Sequence, residues 1–310
     1  MERKTVIVGS RASELALTQT NWVIMQLKEK FPEISFEVVK IKTIGDKILD
    51  KTLDKIGGKG LFVKEIEGAL LQKEIDMAVH SMKDVPTEMT PELMIGAVTN
   101  REDVRDVLIS KDALKLKDLP IGAKIGTSSL RRAAQLLSFR PDLRIEPIRG
   151  NIATRMRKIE ELGLDGVILA AAGIIRMGWE DRITEYISTE ICTPAVGQGA
   201  LGIQIRSEDA FIENIIKVLN NSKIAAAVGA ERSFMAELKG GCHVPIGAYA
   251  ICIDEEVQME TVVASPDGKE IVRRNGKAAI AAYEKLGMDL AKQSLEKGAE
   301  GILKNIEAGE

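Results

Sequence analysis

The chain has 310 residues, of which 45% are hydrophobic and 29% charged, so its length predicts about two domains, with three possible, built on ordinary cores. A formal net charge of -3 excludes a chain whose overall field gathers nucleic acid or anionic membrane, so any basic site must be local. We expect no membrane span and no signal peptide, because no apolar run is long enough and the first residues form a charged tip before a short strand.

Short apolar runs alternate with amphipathic helical patterns through the first two-thirds of the chain. The predicted strands are 5–8, 34–41, 76–80, 93–98, 124–126, 144–147, 167–171 and 203–205, and the predicted helices are 13–30, 61–73, 129–139 and 151–162. This alternation is typical of α/β folds with parallel sheets and crossover helices. A polar joint at 100–103 interrupts it once.

From about Ile224 the order of elements changes. A long helix (224–239) precedes three strand-like runs at 246–253, 257–265 and 269–273, and helical patterns then run from 278 to 306. The turn Ser265-Pro266-Asp267-Gly268 indicates a hairpin. The sequence therefore predicts a small α+β domain at the C-terminal end.

The lysine-rich segment Thr43–Gly60 fits neither periodicity and ends in Gly57-Gly58-Lys59-Gly60. A loop of this length in a compact domain is usually functional or disordered. A mobile lid and a solvated loop both remain open.

The loop Gly240-Gly241-Cys242-His243-Val244-Pro245 separates the long helix from the next strand. Two glycines and a proline favour a tight loop that presents the Cys242 thiol on a stiff tether. The alternative is a helix cap followed by a buried cysteine. Because the three cysteines form no C-x-x-C pair and only two histidines accompany them, we expect no disulfide framework, no zinc site and a reducing, cytoplasmic location.

Arginines accompany polar helix caps at three strand-to-helix junctions. The junctions are Gly9–Ser13, Gly126–Arg132 and Arg149–Arg157. Helix N-termini already attract anions, and open α/β sheets bind ligands at the carboxyl ends of their strands. The pattern predicts a cleft for several anionic groups, with arginines as bidentate carboxylate or phosphate binders. Alternatively, these arginines pair on the surface with Asp142, Glu146 or Glu160.

The run Asp76–Pro86 is a second candidate, since a strand ends near His80 and Lys83 and Asp84 follow in a loop. A carboxylate among apolar residues and arginines can act as an acid, a base or a stabiliser of cations. The alternative is that Asp84 caps a turn and Lys83 is solvated.

Two motifs are set aside. Gly197–Gly202 matches G-x-G-x-x-G but leads into a strand, whereas the dinucleotide fingerprint opens a helix. A Cys–His dyad through His243 is sterically poor, and nothing orients His80 for that role.

Eight segments, in order along the chain, resemble the porphobilinogen deaminase (hydroxymethylbilane synthase) family. They are GSRASELALTQT from Gly9, GGKGLFVKEIE from Gly57, AVHSMKDVPT from Ala78, GTSSLRRAAQL from Gly126, RGNIATR from Arg149, ILAAAGIIRMG from Ile168, PAVGQGALGI from Pro194 and ERSFMAELKGGCHVPIGAY from Glu231. The resemblance implies two periplasmic-binding-protein-like α/β lobes with mostly parallel sheets and a small α+β C-terminal domain. It implies the boundaries 1–99 with 200–219, then 100–199, then a cofactor-attachment domain at 220–310.

The same resemblance implies a transferase of tetrapyrrole and haem biosynthesis. In similar enzymes the residue matching Cys242 holds a dipyrromethane cofactor through a thioether, and four porphobilinogen molecules are added head to tail, with loss of ammonia, to give hydroxymethylbilane. It implies that Asp84 is the catalytic carboxylate, which we expect to be charged and to stabilise an azafulvene-like cation. The binders of cofactor carboxylates are then Lys83, Thr127, Ser129, Arg131 and Arg132, and those of the incoming or second ring Arg11, Ser13, Arg149, Arg155, Arg176 and Gln198. Phe62 is a hypothetical stacking residue.

Two other classes of protein are weaker interpretations. A non-catalytic, two-lobed anion binder explains the arginines but not the C-terminal domain or Cys242. A nucleic-acid binder is disfavoured by the acidic net charge and by 4% aromatic residues. We expect a monomer whose partner is a small molecule.

Overall fold

The structure is a computed structural model that describes residues 4–47, 63–239 and 244–308. The described residues divide into two compact units. One comprises 4–47, 63–102 and 199–225, and the other comprises 103–198 and 226–308. The chain therefore leaves the first unit after Glu102 and returns to it at Gly199.

The elements of both units are numbered here in chain order. The strands are β1 (Thr5–Arg11), β2 (Ser35–Ile41), β3 (Met77–Ser81), β4 (Leu93–Val98), β5 (Asp106–Ser110), β6 (Lys124–Gly126), β7 (Arg144–Glu146), β8 (Gly166–Ala170), β9 (Glu185–Ile187), β10 (Leu201–Arg206), β11 (Ile246–Ile253), β12 (Glu256–Ala264) and β13 (Ile271–Ala279). The helices are α1 (Glu14–Lys30), α2 (Ile44–Lys47), α3 (Lys64–Leu71), α4 (Leu130–Phe139), α5 (Ile152–Glu161), α6 (Ala171–Arg176), α7 (Ala210–Ile216), α8 (Ser222–Glu237), α9 (Tyr283–Ser294) and α10 (Glu300–Ala308).

Each unit contains a five-stranded sheet, and the two sheets have the same strand order apart from one inserted strand in each, β10 and β5. The first is β2-β1-β3-β10-β4 and the second is β7-β6-β8-β5-β9. In each, the first three strands pair in parallel, while β10 or β5 pairs antiparallel with both of its neighbours. Each inserted strand is the first element after a change of unit, at 102–103 for β5 and at 198–199 for β10.

Both sheets are buried on two faces, because alternate side chains of a strand point to opposite sides. In β5, Val107 packs in one hydrophobic cluster and Leu108 in another. In the first unit, Val6 and Val8 pack in one cluster and Ile7 borders the other. This explains why the strands appear as short, continuous apolar runs.

The C-terminal part of the second unit is an antiparallel sheet, β11-β12-β13, whose core with α8 and α9 includes the fully buried Phe234. Its hairpin turn contacts α4. Gly268 has φ +72°, and a Cβ there would lie 2.3 Å from the Ala134 carbonyl oxygen. With the mixed α/β sheets, this confirms the predicted fold class, while the division into three domains stays a prediction.

Several predicted elements need correction. β5, β9 and α6 were not predicted, because two are very short and β5 follows directly on a polar joint. β13 extends to Ala279, so the helical pattern predicted from Ala278 begins too early. Exposed and half-buried residues alternate along β13, and its backbone pairs with β12 as far as Glu256 and Ala279. The start of the predicted lid forms α2, and its remainder from residue 48 lies outside the described residues.

The G-x-G-x-x-G motif has a steric explanation. A Cβ on Gly199, at φ +90°, would lie 2.4 Å from the Glu102 carbonyl oxygen, and one on Gly202 would lie 2.3 Å from Met82 Sδ. The motif leads into β10, as predicted. These glycines therefore allow close packing of chain segments and do not form a dinucleotide turn.

Candidate active site

In the first unit, predicted site residues follow two neighbouring strands. β1 ends at Arg11, and a 3₁₀ turn, Met82–Asp84, follows β3 and carries Lys83 and Asp84. β1 and β3 pair in parallel, so their carboxyl ends share one edge of the sheet. The structure thus brings Arg11 and Asp84 to the same edge, where both are half-buried.

A buried polar chain lies behind this edge. His80 Nε2 is 3.0 Å from Gln204 Oε1, and Gln204 Nε2 donates to Glu67 Oε1 at 2.9 Å. Glu67 Oε2 accepts the Thr90 hydroxyl at 2.7 Å. Burial is the largest influence on His80 and lowers its pKa to about 4, even though Gln204, Glu67 and Asp84 act to raise it. The imidazole is therefore neutral at physiological pH.

In the second unit, the predicted residues follow three adjacent parallel strands. Thr127 and Ser129 follow β6, Arg149 follows β7, and Arg176 ends α6 after β8. Parallel pairing of β6 with β7 and with β8 puts these strand ends at one edge. Arg155, in the first turns of α5, donates from Nε to the Gly150 carbonyl at 2.8 Å.

The predicted helix caps are present in both units. Ser13 Oγ accepts from the Ala16 amide at 3.4 Å, and Ser129 Oγ accepts from the Arg132 amide at 3.5 Å. Both bonds are long, so each cap is weak. The Asn151 side chain makes a shorter cap, accepting from the Thr154 amide at 2.8 Å.

Arg131 and Arg132 are buried and share one carboxylate, Asp106 at the start of β5. Arg131 Nη1 lies 2.8 Å from Asp106 Oδ2, and Arg132 Nη2 lies 2.7 Å from Asp106 Oδ1. Burial acts to raise the pKa of Asp106, but attraction to the two guanidinium groups outweighs it and holds that pKa far below its usual value. This cluster therefore carries two positive charges and one negative charge. Binding of a cofactor carboxylate by the two arginines stays a prediction.

Of the three acids proposed as surface partners, Asp142 pairs at 2.7 Å with Arg140, which lies outside the three junctions, and Arg157 pairs at 2.8 Å with Glu161, which was not proposed. The partner of the buried arginines is Asp106, which sequence reasoning missed. A signal was present, since an aspartate directly before the apolar run Val107–Ile109 indicates a buried strand that begins with a charge needing a partner.

Gln198 and Cys192 border the same cluster. Gln198 Nε2 donates to the Val104 carbonyl at 2.7 Å and to Asp106 Oδ1 at 3.0 Å. The Cys192 thiol donates to Asp106 Oδ2 at 3.3 Å, and burial, followed by the charge of Asp106, raises its pKa to about 12. Cys192 is therefore an unreactive, buried thiol, and Cys252 packs half-buried in the C-terminal core.

Two predicted site residues, Cys242 and Phe62, lie outside the described residues. Within residues 4–47, 63–239 and 244–308, no three His, Cys, Asp or Glu side chains are grouped as a metal site. None of the helices in that part of the chain is long and apolar enough to cross a membrane.

Comparison with known families decides the assignment. Residues 6–214 match the model described as porphobilinogen deaminase, dipyromethane cofactor binding domain, and residues 225–296 match that of the porphobilinogen deaminase C-terminal domain. The chain belongs to the porphobilinogen deaminase family. This confirms the predicted family, its transferase class and a cofactor-binding domain for dipyrromethane.

Relatives named porphobilinogen deaminase span nearly the whole chain. The protein from Carboxydothermus hydrogenoformans is 53% identical over 304 residues, covering 98% of each chain. That from Alkaliphilus metalliredigens is 51% identical over 303 residues, covering 98% of this chain and 96% of the relative. Among solved structures, the VFT2 domain of BvgS from Bordetella pertussis has a TM-score of 0.42 at 15% identity, over 73% of this chain and 93% of that one.

Proposed function

We propose that this chain joins four porphobilinogen molecules head to tail on a dipyrromethane held by a thioether at Cys242, with release of ammonia and hydroxymethylbilane for haem biosynthesis. The observation that carries the proposal is the family match over nearly the whole chain. The placement of arginines at strand ends in both units supports it.

The described residues fit a polyanionic cofactor. Each pyrrole ring of this kind carries an acetate and a propionate, so its site must supply several cationic donors. The cluster of Arg131, Arg132 and Asp106 keeps one positive charge in excess, and Ser129 and Thr127 lie at the N-terminus of the same helix. When bound, the dipyrromethane supplies the free ring position at which the first substrate ring is joined. Arg11, Arg149, Arg155 and Arg176 would hold the carboxylates of incoming rings.

Asp84 is the residue we assign to the chemical step. Positive charge develops on the incoming pyrrole and its methylene carbon as the C–N bond of the aminomethyl group breaks and the amino group leaves as ammonia. A fixed carboxylate at the end of β3 stabilises that charge where it forms. Arg11, at the same sheet edge, holds the substrate and leaves the Asp84 carboxylate to face the reacting carbon.

Intact mass tests cofactor attachment. The purified protein should exceed 33.8 kDa by the mass of two linked pyrroles, and Cys242→Ser should remove both that excess and all turnover. The cofactor should also give a pink colour with acidic aldehyde reagent. A bare thiol at position 242 after incubation with porphobilinogen would instead favour the non-catalytic anion binder.

Replacement of Asp84 tests its proposed role in the chemical step. We expect Asp84→Asn to lower turnover by about 100-fold or more while the cofactor mass is retained. Asp118→Asn is a matched control, because Asp118 also ends a 3₁₀ turn but is exposed in the second unit. Near-normal turnover of Asp84→Asn with an intact cofactor would refute the assigned role.

A monomer in the cytoplasm stays a prediction, as does stacking of a pyrrole on Phe62.

A further inference from the structure

The buried chain behind Asp84 has one consistent direction of donation. Gln204 uses its Nε2 to donate to Glu67, so its Oε1 is the atom that faces His80. His80 Nε2 must therefore carry the proton and donate it, which leaves Nδ1 unprotonated. The Thr90 hydroxyl completes the chain at the other oxygen of Glu67.

Four elements present charged or polar groups to the His80 ring. These are Glu67 on α3, Asp84 in the 3₁₀ turn, Arg11 at the end of β1 and Gln204 on β10, and the first three act on it through their charge. His80 is only 5% exposed, so these influences are weakly screened by water. A proton on this ring would place a cation in the immediate field of Asp84.

We propose that His80 is a positioning residue for Asp84, held as a neutral imidazole by its burial, and that Gln204 fixes its tautomer and separates its ring from the Glu67 carboxylate. This rests on the role proposed for Asp84. A carboxylate stabilises a developing cation best when no fixed cation already neutralises it. Because the Gln204 amide donates to Glu67, it must accept from His80, and this fixes the His80 tautomer. The amide is neutral, so it places no charge beside the ring.

The decisive variant is Gln204→Glu, which places a carboxylate against His80 Nε2. An adjacent opposite charge raises the pKa of an imidazole by roughly 1–3 units. His80 would then be partly protonated at pH 6, and turnover at pH 6 should fall by about twofold to tenfold below that at pH 8.5, relative to the native protein, if the rise is 2–3 units. Turnover should recover as the pH rises through the new His80 pKa.

Two further variants separate charge from packing. Gln204→Met breaks the chain without adding a carboxylate, so it should lower turnover by the same factor at every pH. In the double variant His80→Gln/Gln204→Glu nothing at position 80 can titrate, although a donor to residue 204 remains. Its acid sensitivity should return to that of the native protein.

Nuclear magnetic resonance measures the tautomer and the pKa of the His80 ring directly. The chain has two histidines, so ¹⁵N ring spectra of the holoenzyme contain two imidazoles, and His243→Gln identifies the signals of His80. We expect the Nε2–H tautomer and titration near pH 4.

Titration of native His80 near its ordinary value, or the opposite tautomer, would overturn the proposal even if no variant folds. So would a raised His80 pKa in Gln204→Glu with an unchanged pH profile of turnover. Full turnover of Asp84→Asn would instead reject the role of Asp84, while the state of His80 could still be read.

Discussion

The two α/β sheets have the same strand order apart from one inserted strand in each, yet the buried polar groups behind their strand ends carry opposite charge. In the first unit, Glu67 is satisfied by the neutral donors of Gln204 and Thr90, so that chain is net negative. In the second, Asp106 faces two guanidinium groups, so that cluster is net positive. A fold's topology positions strand ends, whereas residues such as Gln204 and Asp106 on the inserted strands determine what charge each edge can accept. The first edge suits a developing cation and the second suits carboxylates.

Among the changes that test this difference between the units, removal of the Asp106 carboxylate should destabilise the protein most. Asp106→Asn leaves two buried guanidinium groups without a counter-charge, which we expect to lower the free energy of unfolding by about 3–5 kcal/mol. Chemical denaturation measures this loss of free energy of unfolding, provided that the native and variant proteins have the same m-value.

The exposed pair of Arg157 and Glu161 provides the control for that experiment. Glu161→Gln removes a carboxylate from a solvent-exposed i,i+4 pair and should cost less than about 1 kcal/mol. If the two variants had the same free energy of unfolding, Asp106 would not be needed to stabilise the two buried arginines.

The pH dependence of stability should also differ between the units. The pKa of His80 is about 4 when folded and 6.5 in its ordinary state, so the unfolded chain binds more protons between these values. Stability should therefore fall as the pH drops from about 6.5 to 4, by about 1.4 kcal/mol per pH unit and roughly 3 kcal/mol in all, and stay flat above that range. Asp106, whose folded pKa is depressed, stabilises the fold above about pH 4 and loses that contribution only below it.

Denaturation curves from pH 4 to 8 in His80→Gln test this assignment. The variant cannot titrate at position 80, so the slope between pH 4 and 6.5 should largely disappear. A slope equal to that of the native protein would place the titrating group elsewhere.

Much of this arrangement could be predicted from sequence because it depends on local signals. Ser13, Ser129 and Asn151 were recognisable as caps, and the apolar runs beside them as strands, since caps and periodicity act over a few residues. The placement of Arg11 and Asp84 after strands also followed, although the pairing of those two strands did not.

Partners distant in the chain could not be predicted in this way. Asp106 and Arg131 are 25 residues apart, and His80 and Gln204 are 124 apart, so nothing local links them. The positions of β5 and β10 within their sheets could not be predicted for a related reason. A strand's neighbours depend on where the chain returns to a sheet, and periodicity does not encode that.

The helix caps give the smallest predicted effect and the sharpest separation of function from stability. The long bonds of Ser13 and Ser129 stabilise their helices little, so Ser13→Ala and Ser129→Ala should each cost only about 0.5 kcal/mol. Asn151→Ala removes a 2.8 Å cap and should cost about 1 kcal/mol. If the serine hydroxyls serve ligand carboxylates, the order reverses for turnover: both serine variants should raise KM several-fold, and Asn151→Ala should stay within about twofold of the native value. Thermal unfolding and steady-state kinetics on the same three holoenzymes measure both orders, and parallel losses of stability and turnover would reduce the serines to structural caps.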